Sequence, residues 1–435
     1  MRTEQLSMNL GATILAKGVS MVAQYALLGV LVRHVGAGDL GIYFALASFA
    51  AWFGVLDIGV AHGLRNRVSQ SFAQGRLEDA ADSLVAGVHL SVVSAVIMLI
   101  VGVACERLVG LGWFFNLARP VTNAEIALFY VLLGAAAIRL GAKPYQAVMQ
   151  GILKGRFVDL STSLSTILAI LVFVAVLPWV DLNVALLGVV LELLPASLSA
   201  LLTYVLVVKA SNLRFRLLGK GSPAARRDVI SIGGRFFIVQ MLTLVVYASD
   251  AYLIAVMRSP EEVTLYQVAY RFFSIILVGI AVLNIPLWPA IAHAIACRDF
   301  QWLKRAIIWV LVFAATLMAG VLAFSSFAFE LLREAWLGTA VVVPVDLVTH
   351  MAWYSVFFVL VSLASVFLNA AEVLRVQFWG YLAIALVKVP ALLFVTRALG
   401  WDVAGMVLVD AVLLGGLALV FWTVVLRYYR GVAHA

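Results

Sequence analysis

Long apolar runs, one after another from end to end, constrain this chain more than any other feature. Windows of about 20 apolar residues, each long enough to cross a bilayer, recur at 11–32, 42–62, 83–105, 126–148, 158–178, 184–208, 231–256, 265–290, 306–329, 346–368, 376–397 and 402–426. The runs are continuous rather than alternating apolar and polar, which favours helices over a barrel. The expected fold class is therefore an all-α membrane protein with about twelve transmembrane helices. Composition agrees: 64% of the residues are hydrophobic and 12% charged, with mean hydropathy +1.08, whereas a soluble domain has about 25% charged residues. The polar start Met1–Asn9 precedes a run of spanning length with no A-x-A-like cleavage site, so a retained first span is expected rather than a signal peptide.

The net charge of +8 lies in short loops between spans, which is a topology signal and not a nucleic-acid stripe. Alternate loops and both termini hold eighteen Lys and Arg. The other loops hold six, and six more lie inside spans, which accounts for all 30. Both termini are thus expected in the cytoplasm. The most basic loop, 209–230, falls between the sixth and seventh windows. It divides an N-terminal six-helix lobe, 1–208, from a C-terminal one, 231–435. A weak repeat supports the division: Val32-Arg33 and Leu40-Gly41-Ile42-Tyr43 match Met257-Arg258 and Val263-Thr264-Leu265-Tyr266. Both halves begin on the same side, so the repeat is parallel.

Six cations lie within the spans: Lys17, Arg139, Lys143, Arg235, Arg271 and Lys388. A charge at bilayer depth costs about 3 kcal/mol on insertion scales, so such residues face a protein interior or a wet cavity. Six of them suit an anionic cargo. Arg235 and Arg271 are near enough to span ends to snorkel instead. Polar stripes run beside them at helical spacing: Thr13, Lys17, Ser20 and Gln24; Arg139, Lys143, Gln146 and Gln150; Gln240, Thr243, Tyr247 and Asp250; Ser355, Ser362, Ser365 and Asn369. Gln24, Gln146, Gln240 and Tyr247 are read as polar cavity lining. Ser and Thr stripes also serve plain helix packing. The acids Asp57, Glu192, Asp250 and Asp410 are open to two readings, ion coupling or counter-charge, with Asp250 and Glu192 the coupling candidates.

Catalytic chemistry has no foothold here. No GxxxxGK[ST] is present and no HExxH, no Ser/His/Asp or paired-carboxylate arrangement stands out in a loop, and there is no soluble domain; Cys105 and Cys297 are far apart in sequence. No cofactor or metal is expected.

The stretches Gly36-Ala37-Gly38-Asp39-Leu40-Gly41-Ile42-Tyr43, Leu56-Asp57-Ile58-Gly59-Val60-Ala61-His62-Gly63-Leu64-Arg65-Asn66-Arg67 and Ala73-Gln74-Gly75-Arg76 resemble the N-terminal signature of Wzx-type polysaccharide transporters. These are the lipid-linked oligosaccharide flippases of the multidrug/oligosaccharidyl-lipid/polysaccharide exporter superfamily. The resemblance implies two six-helix lobes around a central cavity and alternating access. It implies flipping of an undecaprenyl-pyrophosphate-linked glycan across a bacterial inner membrane, as in O-antigen synthesis. The implied partners are that glycan lipid, the bilayer and polysaccharide polymerase or assembly proteins. Family members hold the pyrophosphate with cavity Arg and Lys, for which the six cations above are candidates by depth and not by motif match. The alternative is a cation-coupled exporter of drugs or small metabolites. Such exporters commonly carry an acid in helix one, where this chain has Lys17.

Overall fold

The structure is a computed structural model. It describes residues 2–53, 60–115, 119–152, 154–179, 183–210, 227, 241–338, 341–371 and 373–433. Among these the chain is helical throughout, and nine helices are long and apolar enough to cross a membrane. The helix Arg2–His34, the apolar helix Ala37–Ala50 and the helical stretch from 241 fall at the first, second and seventh expected windows. The total is about twelve, as expected from the apolar runs. Most of the expected linker 209–230 lies outside the described residues.

The chain forms two compact units: Met1–Leu244 with Ala248–Tyr252, and Val245–Tyr247 with Leu253–Ala435. The first contains α1 (Arg2–His34), α2 (Ala37–Phe53), α3 (Val60–Ala73), α4 (Leu77–Leu108), α5 (Leu111–Phe114), α6 (Asn123–Gly151), α7 (Gly155–Val176) and α8 (Val184–Lys209). Its centre is α6, against which α2, α3, α4, α7 and α8 pack. Small residues make this possible: Ala135 and Ala136 are buried, and at Gly188 an added Cβ would lie 2.5 Å from Leu128, the close approach typical of membrane helix pairs. Thr122 starts α6 with a capping box to Glu125, which satisfies two donors at the open helix end.

The second unit holds the stretch 241–247 and α9 (Asp250–Met257) in part, with α10 (Pro260–Ala296), α11 (Phe300–Leu337), α12 (Val345–Ala370), α13 (Leu374–Arg397) and α14 (Val403–Ala433). Here α12 is central, packed by α10, α11 and α14. The serine stripe on α12 is used for packing. Ser355 and Ser365 donate to the carbonyls one turn back, and Ser362 accepts from Asn284 of α10 at 2.8 Å. In contrast, Ile308, Trp309, Val312 and Phe313 of α11 are exposed, as are Val92, Val93, Val96 and Ile97 of α4. Such apolar faces belong against hydrocarbon.

Two details depart from the apolar-window reading. Residues 63–73, expected as loop, continue α3: Leu64, Val68 and Ser71 are buried at helical spacing, with Leu64 and Val68 in a core shared with α4 and α6. Low average hydropathy hides an amphipathic helix of this kind. The seventh helix is also broken, with bends at Ala248 and Ser249 between 241–247 and α9. The weak repeat has a structural counterpart, since both segments cross a short turn into the next helix, and its matched tyrosines, Tyr43 and Tyr266, are each 5% exposed.

Candidate functional site

Each unit places a cation–carboxylate pair at membrane depth. In the first, Arg139 sits about 24 Å along α6 from its start and about 18 Å from its end, at 1.5 Å per residue. Its Nη2 is bound to Glu192 Oε2, and the other carboxylate oxygen accepts from Tyr43 Oη at 3.0 Å. The Arg139 side chain remains 50% exposed, and Glu192 is 20% exposed. Glu192 lies in a π-helical turn, Val189–Leu193, within α8. One extra residue per turn shifts the register of a helix face, and such turns concentrate at functional positions. Lys143 and Gln146 follow Arg139 at i+4 and i+7, on one face of α6, and both are half-buried. Pro144, beside them, lies inside the same helix.

In the second unit Lys388 is 0% exposed and Asp410 8%. Lys388 Nζ lies 3.1 Å from Asp410 Oδ1 and donates to the Val246 carbonyl at 2.9 Å. Tyr247 packs its ring against Phe358 and Tyr381, with centroids 5.2 and 6.0 Å away. Lys388 therefore presents no surface to a ligand in this conformation.

The remaining sequence-selected residues are scattered. Lys17 is exposed on α1, and Gln24, two turns along the same face, is half-buried and donates to Ser20. Arg271 is half-buried on α10, and Asp250 is 5% exposed at the start of α9. Arg235, Gln240 and Asp57 lie outside the described residues. The structure thus brings Arg139 to Glu192, on one helix face with Lys143 and Gln146, and joins Lys388 to Asp410. Tyr43 and the Val246 carbonyl were not singled out as site groups. Tyr43 had a faint signal as a matched position of the repeat; a backbone carbonyl has none.

Among the described residues no three His, Cys, Asp or Glu side chains converge as metal ligands. The arrangement in the first unit can hold an anion through an exposed guanidinium, whose planar fork suits phosphate oxygens.

Residues 6–295 match the family "Polysaccharide biosynthesis protein". A Salmonella typhimurium protein named "Putative O-antigen transporter" is 20% identical over 299 residues, covering 68% of this chain and 67% of that one. Among solved structures, the inward-facing conformation of a multidrug resistance MATE family transporter of the MOP superfamily aligns with TM-score 0.79 at 14% identity, over 97% of this chain and 99% of that one. A Pyrococcus furiosus MOP superfamily transporter, described as having a binding pocket of reverse polarity, aligns with TM-score 0.58 at 16% identity, over 96% of each chain. These structures share the fold. The family match covers two-thirds of the sequence, and together with the long apolar helices it places the chain: it is a multi-pass membrane protein belonging to the polysaccharide biosynthesis protein family.

Proposed function

We propose that this chain is a flippase that moves an undecaprenyl-pyrophosphate-linked oligosaccharide from the cytoplasmic to the periplasmic leaflet of a bacterial inner membrane, for surface polysaccharide synthesis. The observation that carries the reading is Arg139, a cation at mid-span that is half-exposed while paired. A protein of this class has little reason to keep an exposed charge at such depth unless something anionic or wet meets it. The pyrophosphate head approaches the guanidinium, with Lys143 as a second cation one turn along and Gln146 beyond it. The polyprenyl tail stays in lipid, and rocking of lobes 1–208 and 231–435 about the linker exposes the head to either side in turn. Both termini face the cytoplasm. Neutralising the head lowers the barrier it meets across about 30 Å of hydrocarbon. The bonds of the cargo are left intact, so the activity is transport and not catalysis.

The test is a deletion strain in which the sidedness of undecaprenyl-pyrophosphate glycan is measured. Accumulation on the cytoplasmic face, with loss of surface polysaccharide and rescue by wild type but not by membrane-inserted Arg139→Ala, is the expected result. Normal surface glycan with new sensitivity to toxic compounds would instead favour the exporter of drugs or small metabolites, a reading that the MATE-like fold keeps in view.

A further inference from the structure

The surroundings of the Lys388 ammonium are those of a cation site. It lies between a carboxylate oxygen of Asp410, from α14, and the carbonyl oxygen of Val246, from the helical stretch 241–247. Val246 is among the last carbonyls before the bends at Ala248 and Ser249. Carbonyls there look outside the helix for a donor, and the helix end adds partial negative charge. A helix C-terminal end combined with a carboxylate is the oxygen donor set by which broken membrane helices hold Na⁺. The pair is enclosed, with Lys388 0% and Asp410 8% exposed, and Ile384, Leu392, Ala411 and Leu414 on the same two helices are also buried. A simple counter-ion pair needs the carboxylate alone. The carbonyl aimed at the same nitrogen is what marks the position as a cation pocket.

We propose that this is a monovalent-cation site permanently occupied by the protein's own cation, the tethered ammonium of Lys388. The second unit thereby carries its own ion where an open site would draw Na⁺ or K⁺ from solution. Ammonium and K⁺ are close in size and both accept oxygen ligands, so cutting the tether while keeping the ligands should convert an internal ion into an external requirement. This inference does not depend on the cargo.

The experiment measures thermal unfolding of the purified full chain in detergent, in choline chloride, NaCl or KCl at constant ionic strength. Wild type should melt at the same temperature in all three. Lys388→Ala should melt lower in choline and rise by about 5 °C with saturating Na⁺ or K⁺. Methylammonium, which replaces the missing group directly, should give a similar rise. The double variant Lys388→Ala/Asp410→Asn should show none of these rises. The proposal is overturned if Lys388→Ala shows no ion-specific rise, if the double variant keeps it, or if wild type shows it equally. Failure of Lys388→Ala to accumulate in cells also counts against it, because the K⁺ of the cytosol should already fill the pocket.

Discussion

Arg139–Glu192 and Lys388–Asp410 are the same chemical pair in two settings. One sits on the central helix of the first unit with half of the guanidinium side chain exposed; the other is enclosed, with the ammonium at 0% exposure. A closed pair gains from low dielectric but suffers severely if one partner is lost. An open pair is worth little to the fold and keeps donors for a ligand. Depth in a span picks out both cations, and exposure separates them: the Arg139 side chain is open to a ligand and that of Lys388 is not.

The largest effect should come from breaking the closed pair asymmetrically. Asp410→Ala leaves a buried ammonium without its carboxylate and should cost about 3–5 kcal/mol, read as a fall in denaturation midpoint and in membrane yield. If Asp410→Ala folds as well as wild type, the contrast between the pairs collapses. Next, Arg139→Ala should reduce glycan-lipid flipping by about tenfold or more, equivalent to about 1.4 kcal/mol of lost head-group interaction. Its unfolding free energy should change by less than about 1 kcal/mol. Loss of both activity and stability would make the two pairs alike.

Glu192→Gln sharpens the comparison from the other side. It removes the negative charge that competes for the guanidinium, so undecaprenyl pyrophosphate should bind up to about tenfold more tightly, as measured by equilibrium titration in detergent. Weaker binding would mean that Glu192 orients Arg139 rather than competes with the anion. The smallest effect belongs to Tyr43→Phe, which deletes one hydrogen bond to Glu192 and should cost about 1 kcal/mol of stability.

Much of the fold was legible because lipid demands long apolar helices, and α4, α6, α7 and α8 fall where continuous runs predict them. The α3 helix was not legible, because its buried face rests on Leu64, Val68 and Ser71 within an otherwise polar segment. Helix ends were also misjudged inward: α4 covers Leu77–Leu108 against a window of 83–105, since helices continue past the hydrocarbon into polar flanks. At the site, Arg139 and Lys388 stood out by depth alone. Glu192 and Asp410 also stood out as acids within spans, but which cation each would meet did not, because the pairing is a tertiary choice. Glu192 is 53 positions from Arg139 and 149 from Tyr43, and the π-helical turn that carries it leaves no mark in hydropathy. Lys388 and Arg139 looked equivalent in sequence; burial by neighbouring helices made them different.

The most direct test of the account is flipping of fluorescent undecaprenyl-pyrophosphate oligosaccharide in proteoliposomes containing wild type, Arg139→Ala or Arg139→Lys, at matched protein and orientation. The account expects flipping by wild type, partial flipping by Arg139→Lys, which keeps the charge but loses the fork, and little by Arg139→Ala. Equal flipping by all three would contradict the claim that the exposed mid-span arginine receives the anionic head.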